Sequence, residues 1–492
     1  MRPLSIFSYS ALFASIAIAS GAAHAATQNI NLSQPEALAG AVKIEKNSIV
    51  ISRGGEYSLS GDSAGRSVVI DAGDEEITLL LNNAQLTSKQ SAALHVKKSG
   101  DVTLRLAENT SNLIADSTGR VGSDEPQGAL YSRADLRIEG AKGATLTVKG
   151  QREDAIVGKD DLDLRNLTLT VEAKDEGIRG KDSVDIRRSV VNIMAGGDAI
   201  KSDNQEREDK GFVNLEDSDV TLSAGDDGIM GANKVDIRGG NLRITQSYEA
   251  IEGRFVTIHS GNIEVNSKDD GFNVTIKKTA EEKAAEEAAR QAARDSGERR
   301  GPGGPGGHGK AVDGLLSIQG GYIIIHASGD GFDSNGHAEM TGGTLIVNGP
   351  LGQGDGYIDV DGTFNLTGGT LIAHGSKGMA QTPSDTSSQP IMQINLDEAL
   401  NKGDHFVITA ANGEQLLDYV APRNFQSLTY SSALLKNGET YTVTVADKEI
   451  ASMTLESVIT KHGEAGRGPR GPRGDRAWWQ FRSDDERPPR PE

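Results

Sequence analysis

The sequence predicts an all-β fold, a parallel β-helix in which coils stack into a solenoid. Three observations point there. First, an acid, a Gly or Ala, and a large apolar residue recur in that order. They stand at Asp154-Ala155-Ile156, Glu176-Gly177-Ile178, Asp198-Ala199-Ile200, Asp227-Gly228-Ile229, Glu249-Ala250-Ile251, Asp270-Gly271-Phe272, Asp330-Gly331-Phe332 and Asp355-Gly356-Tyr357. Successive acids are 22, 22, 29, 22, 21, 60 and 25 residues apart. A period near 22 is too short for a helix pair and suits one coil of a β-solenoid. Second, each turn is followed by two short runs of period-2 alternation, as in Val235-Asp-Ile237 with Leu242-Arg-Ile244, and Val256-Thr-Ile258 with Ile263-Glu-Val265. Such alternation points one set of side chains inward and the other outward. Third, the runs meet at a repeated corner, Gly239-Gly240, Ser260-Gly261, Gly320-Gly321, Gly342-Gly343 and Gly368-Gly369. Glycine admits the positive φ that a sharp bend needs.

The elements follow in chain order. Arg2, an apolar stretch ending near Ile18 and Ala23-His24-Ala25 form the pattern of a secretory signal peptide over 1–25. The mature protein is therefore expected to be secreted, periplasmic or at the cell surface. No later run is long and apolar enough for a transmembrane helix. Residues 26–126 read as an N-terminal β region leading into the first coils, through Val68-Val69-Ile70, Ile77–Leu81 and Val102–Leu106. Residues 127–390 carry the solenoid. The long step from Asp270 to Asp330 contains KKTAEEKAAEEAARQAARDS, rich in helix formers with charge pairs at i,i+4, then a Gly/Pro run. An insertion over 277–310 is expected, helical at first. Residues 391–460 lose the repeat but keep strand-like runs, which suits a small β cap over the open end of the coils. Residues 461–492 are rich in Arg, Gly and Pro, include Trp478-Trp479, and are expected to be disordered.

Composition narrows the functions. The net charge is −19, and loss of Arg2 with the signal makes it −20. Such a surface disfavours nucleic acid and anionic lipid. There is no cysteine, hence no disulfide and no thiolate metal site. The repeated acids carry the chemistry. Stacked coils lie about 4.8 Å apart, and unit charges at that distance repel by about 0.9 kcal/mol in water and several times more near protein. The acids can lie in open solvent, accept backbone N–H groups as Asx turns, or share Ca²⁺. The doublets Asp226-Asp227 and Asp269-Asp270, and the pair Asp330 and Asp333, favour the cation, which takes six to eight oxygens. Arg179, Lys181, Lys201 and Arg254 flank the acids. They offer contacts to an anionic ligand, a base for a lyase, or plain charge balance. No Ser/His/Asp arrangement is present, and the repeat region has too few aromatics for a stacking platform.

Residues 311–395 resemble a known family. The strings Gly329-Asp-Gly-Phe-Asp-Ser-Asn-Gly336, Met340-Thr-Gly-Gly-Thr344, Val347-Asn-Gly-Pro350, Asp359-Val-Asp-Gly362, Gly368-Gly-Thr-Leu-Ile-Ala373 and Gly378-Met-Ala-Gln381 are similar to the clostridial-type carbohydrate-binding β-helix family. The likeness extends over 127–456 and is looser at 26–126. It implies a right-handed, extracellular parallel β-helix that binds Ca²⁺ and acidic polysaccharide such as polygalacturonate, and cellulose, without established catalysis. By the same likeness Asp226, Asp227, Asp269, Asp270, Asp330, Asp333 and Asp355 match the family's acidic turns. The resulting expectation is a secreted, monomeric, calcium-dependent binder of acidic polysaccharide. A pectate lyase and a structural adhesion solenoid are the alternatives. A lyase would be revealed by unsaturated uronate on incubation with pectate, and a spacer by the lack of any soluble glycan ligand.

Overall fold

A computed structural model describes residues 27–119, 127–277, 288, 311–352 and 354–466. The expected signal peptide and Trp478-Trp479 lie outside these residues, as do nearly all of the 277–310 insertion and most of the tail. The chain is all-β, a parallel β-solenoid of about 12 turns. No helix among the described residues is long and apolar enough to cross a membrane.

Each coil has three faces rather than the two alternating strands read from sequence. The acid turn leads directly into a short strand of its own. One full coil comprises Ile178–Gly180, Ser183–Arg187 and Val190–Ala195, and each pairs in parallel with its counterpart in the next coil. A three-residue strand such as Ile178–Gly180 is too short to show alternation, which is why the first face looked like a turn.

Inward residues stack in register. On the first face Ile156, Ile178, Ile200, Ile229, Ile251, Phe272, Phe332 and Ile358 follow one another, all fully buried. Burying each such side chain contributes about 1.5–3 kcal/mol. The small residue of the motif fits because the next coil passes close by: a Cβ on Gly271 would lie 2.3 Å from the carbonyl oxygen of Gly331.

The corner between the second and third faces requires the left-handed region throughout. Gly240 has φ +77, and a Cβ there would sit 2.1 Å from Ser218 O. In earlier coils the same corner is made by Asn166, Arg188 and Asp217 at φ 51, 46 and 45. The Gly-pair signal does not reach those coils.

The C-terminal end is closed by a change of direction. Phe425–Ser431 runs antiparallel to Thr370–Gly375, the last third-face strand, and to Ile391–Leu400. Beyond it Gln415–Val420, His405–Ala410, Thr440–Val445 and Lys448–Thr454 form a separate antiparallel sheet. This unit has its own core, including Phe406, Phe425, Tyr430 and Tyr441. Ile459–His462 returns to pair with Ile391–Ile394, so ordered strand reaches past residue 460. At the other end Val42–Ile44 folds back antiparallel on Ser48–Ile51.

Candidate functional site

The acids do form a ridge. The carbonyls of Glu176, Asp198, Asp227, Glu249, Asp270 and Asp330 each accept an N–H from the small residue of the preceding coil, Ala155, Gly177, Ala199, Gly228, Ala250 and Gly271. Asp154 heads the same column. The eighth acid is displaced by one place. Gly331 N–H bonds to Gly356 O, so Gly356, not Asp355, continues the column. Asp355 belongs instead to the neighbouring line of Asp226, Tyr248, Asp269 and Gly329, which are linked in sequence by backbone hydrogen bonds.

Backbone donors relieve some of the repulsion. Asp154 Oδ1 accepts from Glu176 N at 3.2 Å, Asp198 Oδ1 from Asp227 N at 2.9 Å, and Asp270 Oδ1 from Asp330 N at 2.7 Å; Asp330 Oδ1 accepts from Gly356 N. The donor is the next coil's acid position, not the residue two places on as in an Asx turn.

A second line runs beside the acids. The outward residue of each first-face strand lies three places after the acid, in the register Val157, Arg179, Lys201, Met230, Glu252, Asn273, Asp333 and Asp359. Its chemistry changes along the ridge and divides the ridge into three stretches.

The first stretch is neutralised from within. Arg179 Nη2 lies 2.8 Å from Asp154 Oδ2, and Lys201 Nζ lies 2.7 Å from Asp198 Oδ2 and 3.2 Å from Glu176 Oε1. Burial and the adjoining Glu176 still push Asp154 up to about 8. Glu176 carries the charge of that pair: burial opposes it, but Asp154, Lys201 and Arg179 hold it at about 2. Burial also works against the Lys201 ammonium, yet Asp198 and Glu176 raise its pKa above the ordinary lysine value. Arg179 and Lys201 are thus counter-ions of the ridge and are held protonated.

The other two flanking cations stand apart. Lys181 is exposed at the corner after Gly180. Arg254 is paired with Glu208 at 3.1 Å and Asp313 at 2.6 Å. The four cations therefore do not converge on one pocket.

The middle stretch holds Asp227, Glu249 and Glu252, with carboxylate oxygens within 4.8 Å of one another. Burial, then Asp198 and Glu252, raise Asp227 well above the usual carboxylate range. Burial and Asp227 push Glu249 up to about 8, and burial and Glu249 push Glu252 up to about 7. Lys277 opposes these shifts from 2.7 Å off Glu252 Oε2. Asp198, Asp226 and Asp227 form an overlapping cluster on the upstream side.

The last stretch is acidic on both lines. Asp330, Asp333 and Asp359 bring carboxylate oxygens within 4.8 Å of one another. Asp333 is raised well above its ordinary value by burial and then by Asp270, Asp330, Asp359 and Glu249, all carboxyl groups. Gln381 Nε2 donates to Asp359 Oδ1 at 2.6 Å.

Glu252, Asp359 and Lys277 did not emerge as site residues from the sequence. The first two occupy the outward position of their strands. Counting three places from each acid finds Glu252 as readily as Asp333. Asp359 escapes that count because the last coil is displaced by one. Lys277 gives no such signal, since it reads as the first residue of a helical insertion.

Comparison with known proteins adds a family. A family model described as a carbohydrate-binding domain-containing protein matches residues 45–279. The match reaches further toward the N-terminus than the resemblance read from the sequence, and stops before the 311–395 strings. A protein of the same description from Acetivibrio thermocellus is 31% identical over 209 residues, 42% of this chain and 72% of that protein. Among solved structures, the gadolinium derivative of a polysaccharide lyase-like protein from C. thermocellum is similar at a TM-score of 0.42 and 24% identity, covering 51% of this chain and 96% of that one.

Proposed function

Because the chain belongs to the family of carbohydrate-binding domain-containing proteins, we propose that it holds acidic polysaccharide through Ca²⁺ bound at the C-terminal stretch of the ridge. The observation that carries this reading is the environment of Asp333, a carboxyl group surrounded by four others. Such a group needs either a proton or a cation. Oxygens bound across one Ca²⁺ at about 2.3–2.6 Å stand up to roughly 5 Å apart. Asp330, Asp333 and Asp359 have carboxylate oxygens within 4.8 Å of one another, inside that span. These three residues would hold the ion, and its uncovered side would accept uronate carboxylates. A cation of this kind reconciles an anionic protein with an anionic glycan.

Secretion follows from the N-terminal pattern and brings the protein to such polymers. The lyase alternative is disfavoured at two of its four candidate bases. A base must give up its proton, and the ion pairs of Arg179 and Lys201 work in the other direction.

The test is calcium titration of chelator-stripped protein by calorimetry, together with retention on a polygalacturonate affinity gel. Binding heat and gel retardation are expected in the parent and are lost in Asp333→Asn. Retention that is the same with and without chelator refutes the reading.

A further inference from the structure

The middle of the ridge is occupied by the chain's own cation. Lys277 comes three residues after the strand Phe272–Val274, and its side chain is largely buried against the acids. Its ammonium lies 2.7 Å from Glu252 Oε2. Although burial opposes its charge, Glu252, Asp227 and Glu249 raise its pKa. The three carboxylates, like those of the C-terminal cluster, have oxygens within 4.8 Å of one another. Asp227 is 1% exposed, and its Oδ1 is buried without a hydrogen-bond partner. One ammonium cannot match three acids, so the rest of their charge must be met by protons or by a second cation, and Asp227 Oδ1 is a buried oxygen that no described donor satisfies.

We propose that Asp227, Glu249 and Glu252 form a latent divalent-cation site, and that the ammonium of Lys277 is its resident counter-ion and excludes Ca²⁺ from this coil. The physical reason is competition for the same oxygens. A metal ion needs the carboxylate edge that Lys277 already takes, and two cations so close repel each other. In earlier coils Arg179 and Lys201 act on their own acids in the same way. Metal is thereby directed to the C-terminal stretch. This inference rests on the reading of the ridge as a cation-holding surface, but it concerns a different coil and can fail separately.

The test uses the full chain, stripped of metal, with Ca²⁺ stoichiometry measured by calorimetry at pH 8. Lys277→Met is expected to bind one more Ca²⁺ per chain than the parent. Lys277→Arg, which keeps the charge, and the double variant Lys277→Met/Glu252→Gln, which removes a ligand, are expected to keep the parental stoichiometry. A folded Lys277→Met protein with unchanged stoichiometry overturns the proposal. Should Lys277→Met fail to fold without metal, circular dichroism decides. Recovery in millimolar Ca²⁺, but not in NaCl of equal ionic strength, supports the site, and no recovery overturns it. A parent that binds no Ca²⁺ beside a variant that does would sink the calcium-dependent function while leaving this inference standing. The reverse pattern, a parental ion lost in Asp333→Asn with no gain in Lys277→Met, would do the opposite.

Discussion

Glu249→Gln should change how stability depends on pH in metal-free protein. In the folded chain burial and the Asp227 carboxyl raise Glu249 from 4.5 to about 8, with Lys277 opposing and Asp270 adding to the effect. Between those values the folded protein holds a proton that the unfolded chain has released. Stability therefore falls as pH rises from about 4.5 to about 8. At 1.36 kcal/mol per pKa unit the full loss from this group is about 5 kcal/mol. Glutamine keeps the acceptor that Asn273 Nδ2 meets at 3.0 Å and cannot ionise, so this loss should vanish. The assay is urea unfolding followed by circular dichroism at low salt, in chelator, from pH 5 to pH 9. The parent should weaken across this range, and Glu249→Gln should weaken less by up to about 5 kcal/mol at the alkaline end. Parallel curves for the two proteins would refute the assignment of a strained, proton-holding carboxyl to this coil.

Other outcomes follow from the same geometry. Ile251→Ala, fully buried between Ile229 and Phe272, should cost about 2–5 kcal/mol in urea unfolding through the cavity it leaves. Lys201→Met strands the buried carboxylates of Asp198 and Glu176 and should cost about 3–5 kcal/mol in urea unfolding, with a larger loss at pH 8 than at pH 5, where a stranded Glu176 can take up a proton. Burial holds His374 down at about 3 instead of 6.5. It thus contributes stability above pH 6.5 that is lost as pH falls toward 3, about 5 kcal/mol in all. His374→Gln should flatten that acid limb, as read by the difference in unfolding free energy between pH 7 and pH 4.

The solenoid was legible because its signal repeats. The spacing of the acids, the alternating runs and the later Gly corners each reflect a constraint that every coil must meet. The exceptions have physical causes. Asp355-Gly356-Tyr357 satisfies the motif by composition, yet the buried ladder continues on Ile358. Tyr357 instead faces the cap, where its hydroxyl lies 2.9 Å from both Ser427 Oγ and Thr429 Oγ1. Those partners are some seventy places away, beyond the reach of any local pattern. Sequence leaves Arg179 and Lys201 divided between ligand contact and charge balance, because it gives proximity but not distance. The distances place them in ion pairs with the acids. Lys277 is hidden by its neighbours, since an Ala/Glu/Lys run advertises helix and says nothing of a side chain folding back onto the preceding coil.

The antiparallel strand Phe425–Ser431 against the last coil governs more than local order. A column of like rungs has no natural stopping point, since every finished rung is a template for another, including one from a second molecule. Phe425–Ser431 takes up the free edge of Thr370–Gly375 in the opposite sense and is itself flanked by Ile391–Leu400, so that edge is no longer open to a further parallel rung. Covering the last third-face strand in this way removes one edge on which the same repeat, left open, would extend end to end.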